Sequence, residues 1–337
     1  MKNKKGFIGR RIIKTGISVF LTAVICLMLN LPAEFAIIAA IVTIEPTASD
    51  SIRKGIVRLP ASAIGAALAV LFVSLWGETA LSYTLAAVLT IFLCQKLKLH
   101  EGILVATLTA VAMVPDINGH YLFAFVSRLG TTSIGLIVSS MINFYVLPPK
   151  FTPLIEEKLK PNFSLASKVL GETIHSILFL QLTQVASPSV KYEKLRHSTE
   201  KVSELISFQE REWKYHKIKL SEYKRFLKLK KANIIMQKLV LHLGNLQYIN
   251  QPTQLSNSEK QLIINSMKSI QEIFEGKYMS MPDSHYALIH ELDLRLKHEA
   301  NQISKSDQYF HHFTSKRILY FELLSIHDSL EELEVDL

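Results

Sequence analysis

The chain has 337 residues, 49% hydrophobic and 20% charged, with a formal net charge of +9 and a mean hydropathy of +0.22. That much apolar material excludes disorder as the main state. The two cysteines, Cys26 and Cys94, both lie in apolar runs, which excludes a disulfide scaffold and predicts buried thiols.

The charges divide the chain. Residues 1–150 carry 13 Lys and Arg and 6 Asp and Glu, whereas residues 151–337 carry 25 and 23. This predicts an all-α protein with a transmembrane domain over 1–150 and a cytoplasmic helical domain over 151–337. The boundary falls at Leu147-Pro148-Pro149-Lys150.

A spanning helix needs roughly 20 mostly apolar residues. Six candidates follow in order, at 13–30, 33–45, 56–76, 79–95, 101–115 and 121–147. The second and fifth are short, and by length alone they also fit re-entrant segments. The N-terminal segment is basic (Lys2, Lys4, Lys5, Arg10, Arg11, Lys14). So are the connections after the second span (Arg53, Lys54) and the fourth (Lys96, Lys98), and the segment after the sixth (Lys150, Lys158, Lys160). The remaining three connections hold no Lys or Arg. Positive charge stays on the cytoplasmic side, so both termini are expected there, and the alternation works only if all six segments cross. The basic start followed by an apolar run has the form of a signal peptide. No small-x-small cleavage pattern follows, so it reads as an uncleaved first span.

The first half matches the second. Arg58-Leu59-Pro60-Ala61-Ser62-Ala63-Ile64-Gly65 aligns with Arg128-Leu129-Gly130-Thr131-Thr132-Ser133-Ile134-Gly135, 70 residues on. Pro46 precedes the first copy, and Pro115 the second. Three spans per copy is an odd number, so the copies would insert in opposite senses. This is a 3+3 inverted repeat, with a site expected near the midplane between the halves. Gly65, Gly130 and Gly135 are expected to permit close helix packing.

Arg128 lies about seven residues into the sixth span, roughly 10 Å deep at 1.5 Å per residue. An unpaired charge there costs at least ~2.5 kcal/mol. Arg58 sits near the cytoplasmic end of the third span, where its side chain can snorkel. Guanidinium forks suit carboxylates, so both arginines are candidate ligands for an anionic substrate. A structural role fits the same residues: Arg128 paired with Asp116 or Glu78, and Arg58 snorkelling. Glu45, Glu101 and Asp116 lie near span ends. Glu45 and Asp116 are kept as candidates for proton coupling, Glu45 being best placed beside the Pro46-Thr47 helix break.

The pattern Pro46-Thr47, Gly55, Arg58 and small residues to Gly65, on six spans followed by a helical domain, resembles the aromatic acid exporter family. This is the small Gram-positive branch of the fusaric-acid-resistance-like superfamily. Larger relatives carry Arg-x-x-Gly-Thr-x-x-Gly at this place; here Ala61 and Ser62 stand for the Gly and Thr. The resemblance implies a multi-pass plasma-membrane protein that exports aromatic carboxylates, usually driven by protons. The superfamily is also similar to plant malate-activated anion channels, which are dimeric with basic residues along the pore.

The second part is rich in helix-favouring residues and poor in Gly and Pro. Helices are predicted over 162–186, 189–249, 257–276, 284–303 and 315–333, as an antiparallel bundle. The long 189–249 segment is expected to form a hairpin arm or to break near Gly244. A basic run, from Lys214 through Arg225 to Lys231, fits either a solvated helix face or contact with anionic lipid. No recognition motif accompanies it, so nucleic acid is not an expected partner. His311-His312 and His285 with His290 lack metal-ligand spacing. No phosphate loop or nucleophile elbow appears. No metal, cofactor or enzymatic activity is therefore expected.

The expected protein is an exporter of organic anions in a lipid bilayer, assembled as a homodimer or larger symmetric oligomer. Two alternatives remain: a passive anion channel, or a non-transporting scaffold or sensor acting through its helical domain.

Overall fold

The structure is a computed structural model that describes residues 5–117, 119–179, 189–215, 218–249, 255–276, 280–301 and 314–334. Twelve α-helices and no strand occur among the described residues. The chain forms two compact units. The first holds residues 1–150 and 208–217, and the second holds 151–207 and 218–337.

The first unit contains α1 (Lys5–Met28), α2 (Ala33–Thr43), α3 (Ala48–Trp76), α4 (Ala80–Lys96), α5 (Ile103–Met113) and α6 (Tyr121–Tyr145). The α3 helix starts well before the predicted residue 56. Thr47 caps it: its hydroxyl oxygen accepts the Asp50 amide at 3.0 Å, satisfying a donor that the first turn would otherwise strand. The helix continues through Pro60. Gly9–Met28, α3 and α6 are long and apolar enough to cross a bilayer, whereas Ala33–Thr43, Ala80–Lys96 and His100–Met113 are apolar but shorter.

Packing in this unit follows one plan twice. The α1 helix packs on α2 and α6, α4 packs on α5 and α3, α2 packs on α6, α5 packs on α3, and α3 meets α6. The interior is small and polar: Ser18, Thr22, Ser62, Thr90, Thr109 and Thr132 are all buried. Large apolar side chains such as Phe20, Leu27, Ile56, Val88, Leu104 and Ile137 point outward. A water-soluble bundle has the opposite arrangement. Lipid gives no reason to bury Leu or Phe, so helix contacts there rest on small residues and short polar bonds. Ala61, Cys94 and Ala106 form one such core, and both cysteines are free and buried.

The second unit contains α7 (Thr152–Phe179), most of α8 (Val190–Glu212), α9 (Leu220–Gln247), α10 (Asn257–Phe274), α11 (Asp283–Asn301) and α12 (Ser315–Glu334). The predicted 189–249 segment is two helices. The break follows Glu212 rather than lying near Gly244. Gly244 stays within α9, and the Tyr192 phenol occupies the space that a Cβ there would take. The first helix of this unit starts at Thr152, not 162, and passes through Pro161. The α10 start carries a reciprocal cap between Ser256 and Glu259. Burial would raise the Glu259 carboxyl, but bonds from Lys316 and Ser256 outweigh it and hold it at about 2.

The basic run is partly neutralised by an Arg225–Glu156 ion pair; Lys217 lies outside the described residues. His285 is fully buried. Its Nδ1 is 2.8 Å from Ser269 Oγ and its Nε2 is 3.0 Å from His327 Nδ1. Burial, with His327 alongside, pushes His285 down to about 4. Its partner is therefore His327, not His290. His311 and His312 lie outside the described residues.

Candidate anion pathway in the first unit

The α2 helix stops at Thr43, and the chain reaches α3 through Ile44-Glu45-Pro46-Thr47. Proline has no amide hydrogen and sets an extended preceding residue, so the helix ends here. The break delivers the Glu45 carboxylate to Arg58 on α3. Arg58 donates Nη2 to Glu45 Oε1 at 2.8 Å, Nη1 to Val42 O at 3.1 Å and Nε to Glu101 O at 3.3 Å. Lys54, one turn earlier, lies 3.3 Å from both Glu45 and Glu101. Two cations and two carboxylates thus join the end of α2, the start of α3 and the 3-10 turn that precedes α5. Gly102 makes this approach possible, since a Cβ there would collide with Ala61.

The break itself is held by residues that the sequence reading did not single out as site residues. Asn143 on α6 donates Nδ2 to Glu45 O at 3.0 Å, Thr47 O at 3.1 Å and Ser51 Oγ at 2.7 Å. Ser51 in turn donates Oγ to the Thr43 carbonyl at 2.7 Å, one of those that the end of α2 strands. Lys14 on α1 is buried and donates to Asn143 Oδ1 at 2.8 Å. Glu212 accepts the Ala48 amide at 2.8 Å, and Arg211 pairs with the buried Asp50 at 3.2 Å. A lone Asn in the apolar α6 was a visible signal. Arg211 and Glu212 sit in a charged stretch where nothing marks them.

Arg128, on α6, is as buried as Arg58, at 7% exposed against 6%. Its surroundings differ. It lines a cavity of about 660 Å³ with Glu34, Phe35, His120, Phe123 and Thr131 among the other walls. Its Nη2 donates to Thr109 Oγ1 at 3.0 Å, and its Cζ sits 3.2 Å from the centre of the Phe35 ring. The ring face is negative, so it stabilises a cation without occupying the in-plane donors. The Asp116 side chain lies outside the described residues. Glu78 accepts from the Tyr83 hydroxyl at 2.9 Å.

Hydroxyls lie between the two arginines. Ser62, one turn after Arg58, is 3.1 Å from Thr109 and 3.5 Å from Thr132, and Thr132 is one turn after Arg128. A polar strip therefore runs Arg128–Thr109–Ser62 toward Arg58. Two glycines on the same helices allow close approach. A Cβ on Gly65 would strike the Ala106 carbonyl, and one on Gly135 would strike the Ala36 carbonyl. Gly130 faces open space, and Gly55 meets only Ser140 Oγ at 3.9 Å. Pro46 and Thr47 form the helix break and the α3 cap.

Residues 6–146, the six helices that build this strip, match the family described as aromatic acid exporter family member 1. The chain belongs to the aromatic acid exporter family. Over its length it is similar to a UPF0421 protein of Bacillus cereus, 42% identical across 98% of this chain and 95% of that one. A UPF0421 protein of Halalkalibacterium halodurans is 37% identical across 98% of this chain and 90% of its own. One from Staphylococcus aureus is 39% identical across 95% and 97%. The family is one of membrane transporters, and the apolar exterior of the first unit agrees with a protein that works in a membrane.

Proposed function

We propose that the protein exports organic anions, with aromatic carboxylates as the substrate class, and that Arg128 binds the carboxylate. The observation that carries this reading is the cavity at Arg128. It is large enough for a single-ring acid, and it combines a buried guanidinium, hydroxyls and the Phe35 and Phe123 rings. A carboxylate would meet a charged fork, and an aromatic body would meet aromatic walls.

The reading includes six membrane crossings as a 3+3 inverted repeat, with both termini cytoplasmic. Support comes from positions 70 residues apart. Arg58 and Arg128, Ser62 and Thr132, and Gly65 and Gly135 are such pairs. Ala106 and Ala36, the residues against which the two glycines pack, are another. Ser62 and Thr132 approach each other, as expected for residues beside a pseudo-two-fold axis. Short α2 and α5 would then cross where the bilayer thins around them. Glu45 is the candidate for proton coupling, since protonation would weaken its hold on Arg58. A symmetric oligomer in the bacterial plasma membrane completes the reading. The apolar groove of about 470 Å³ between α3 and α6, lined by Ile56, Leu136 and Met141 among others, is a surface that lipid or a second copy could cover.

The test is efflux of preloaded radiolabelled 4-hydroxybenzoate from cells with wild type, Arg128→Gln at matched membrane level, or empty vector. Faster efflux with wild type alone is expected. Equal efflux in all three would remove this substrate class. Efflux that persists without a pH gradient would replace the exporter by a channel.

A further inference from the structure

We propose that the Arg58 end is a gate held shut by an internal stand-in for substrate: the Glu45 carboxylate occupies the guanidinium position that a substrate carboxylate takes when the gate opens. The proposal rests on the reading of Arg58 and Arg128 as one pathway.

Four observations lead to it. Arg58 spends its three donor positions on three separate segments, the end of α2, the α2–α3 connection and the turn before α5. One side chain therefore ties together the elements that would have to part. Lys54 repeats the link by bridging Glu45 and Glu101, so the charges alternate in a row from Arg58 through Glu45 and Lys54 to Glu101. Gly102 packs against Ala61 with no room for a Cβ, so the closure is steric as well as ionic. At the other end of the strip, the arginine at the matching position faces a cavity of about 660 Å³.

The chemistry of a buried guanidinium explains why the occupant matters. Pulling Glu45 away and leaving Arg58 buried without its anion is strongly unfavourable. Exchanging one carboxylate for another leaves the same charge-assisted bonds in place. An organic anion descending the strip can thus release Glu45 by taking its place, whereas a neutral solute of the same shape cannot. The gate selects for anions because its latch is one.

The experiment uses the full chain with Cys26→Ala and Cys94→Ala, and Ser62→Cys as the reporter in the middle of the strip. Labelling by a membrane-impermeant maleimide is followed in right-side-out and inside-out vesicles. The parent is expected to label faster from the Arg128 side. Glu45→Gln, which keeps the shape and removes the charge, is expected to raise labelling from the Arg58 side several-fold, and 4-hydroxybenzoate should do the same to the parent. Glu101→Gln, whose carboxylate is half-exposed and touches only Lys54, should do much less. Should Glu45→Gln fold poorly, judged by thermal melting, Glu45→Asp replaces it, with a smaller gain expected. An unchanged rate in a folded Glu45 variant overturns the gate. An equal gain from Glu101→Gln overturns the specific role of Glu45. Opening by Glu45→Gln but not by 4-hydroxybenzoate, in cells where 4-hydroxybenzoate is exported, overturns the exchange. Failure of 4-hydroxybenzoate efflux with a normal reporter response to Glu45→Gln counts against the substrate class and leaves the latch standing.

Discussion

Arg58 and Arg128 occupy matching places in two similar stretches of sequence, at almost equal burial, and yet live in different surroundings. At Arg58 the chain supplies a carboxylate, a second cation and two backbone carbonyls. At Arg128 it supplies a phenyl face, a hydroxyl and open volume. The arginines did not set this difference. It was set by which end of α2 comes near. The C-terminal end of α2 runs into Glu45-Pro46 and brings a carboxylate; the N-terminal end starts after Pro32 and brings Phe35. Two arginines in similar stretches of sequence therefore meet different neighbours: Arg58 is tied to Glu45, and Arg128 borders a cavity.

The largest effect is expected at Arg128, which borders the cavity. Arg128→Gln should lower 4-hydroxybenzoate efflux at least about tenfold, which corresponds to about 1.4 kcal/mol or more of lost interaction. Arg128→Lys should fall between, because it keeps the charge and loses the fork. If both variants export like wild type, Arg128 is structural.

Tests of Glu45 by pH need a control from the second unit. His285 is held at about 4 in the folded protein, below the ordinary 6.5. The unfolded chain therefore binds the proton first, so this group's stabilisation is intact above pH 6.5 and is lost as pH falls toward 4. The full effect is on the order of 3 kcal/mol. Melting of wild type should drop over that window, and His285→Asn should flatten part of the drop. A flat wild-type profile would refute a neutral, buried His285. A pH-dependent efflux that survives in His285→Asn belongs to the pathway.

The equivalence of the two halves is sharpened by glycine. Gly65→Ala and Gly135→Ala each drive a Cβ into a backbone carbonyl and should each destabilise by about 1–3 kcal/mol. Gly130→Ala, in open space, should be neutral or stabilise by about 0.5–1 kcal/mol, since alanine is the better helix former. Thermal melting in detergent reads all three. A large cost at one of Gly65 and Gly135 with none at the other would break the equivalence. The smallest effect is expected at Glu212→Gln. It keeps an acceptor for the Ala48 amide and removes a charge from the positive end of α3, for about 0.3–1 kcal/mol.

Much of the first unit was legible in advance. Apolar runs placed helices near all six ranges. The 70-residue offset named Gly65 and Gly135, which the fold brings against carbonyls of α5 and α2. Arg58, Arg128 and Glu45 were named for their charge in apolar surroundings. Other features were not legible. Gly130 shares the local pattern of Gly135 and faces nothing. Lys14 read as one of several basic residues at the N-terminus, and it is buried on Asn143. The helix break in the charged part fell after Glu212, although Gly244 was the weaker helix former.

The sequence by itself determined the helical class, the division of charge, the small-residue faces and the spacing between the two arginines. These follow from local composition and from the 3.6-residue period, and both are properties of contiguous chain. Only the tertiary structure decided that Glu45 reaches Arg58, that Phe35 lies over Arg128, that Asn143 holds the helix break, and that Glu212 caps α3. Each of these joins side chains from separate segments. Which of them meet depends on how close small residues let the helices come and on which helix end each contact leaves nearby, and no single stretch of chain encodes that.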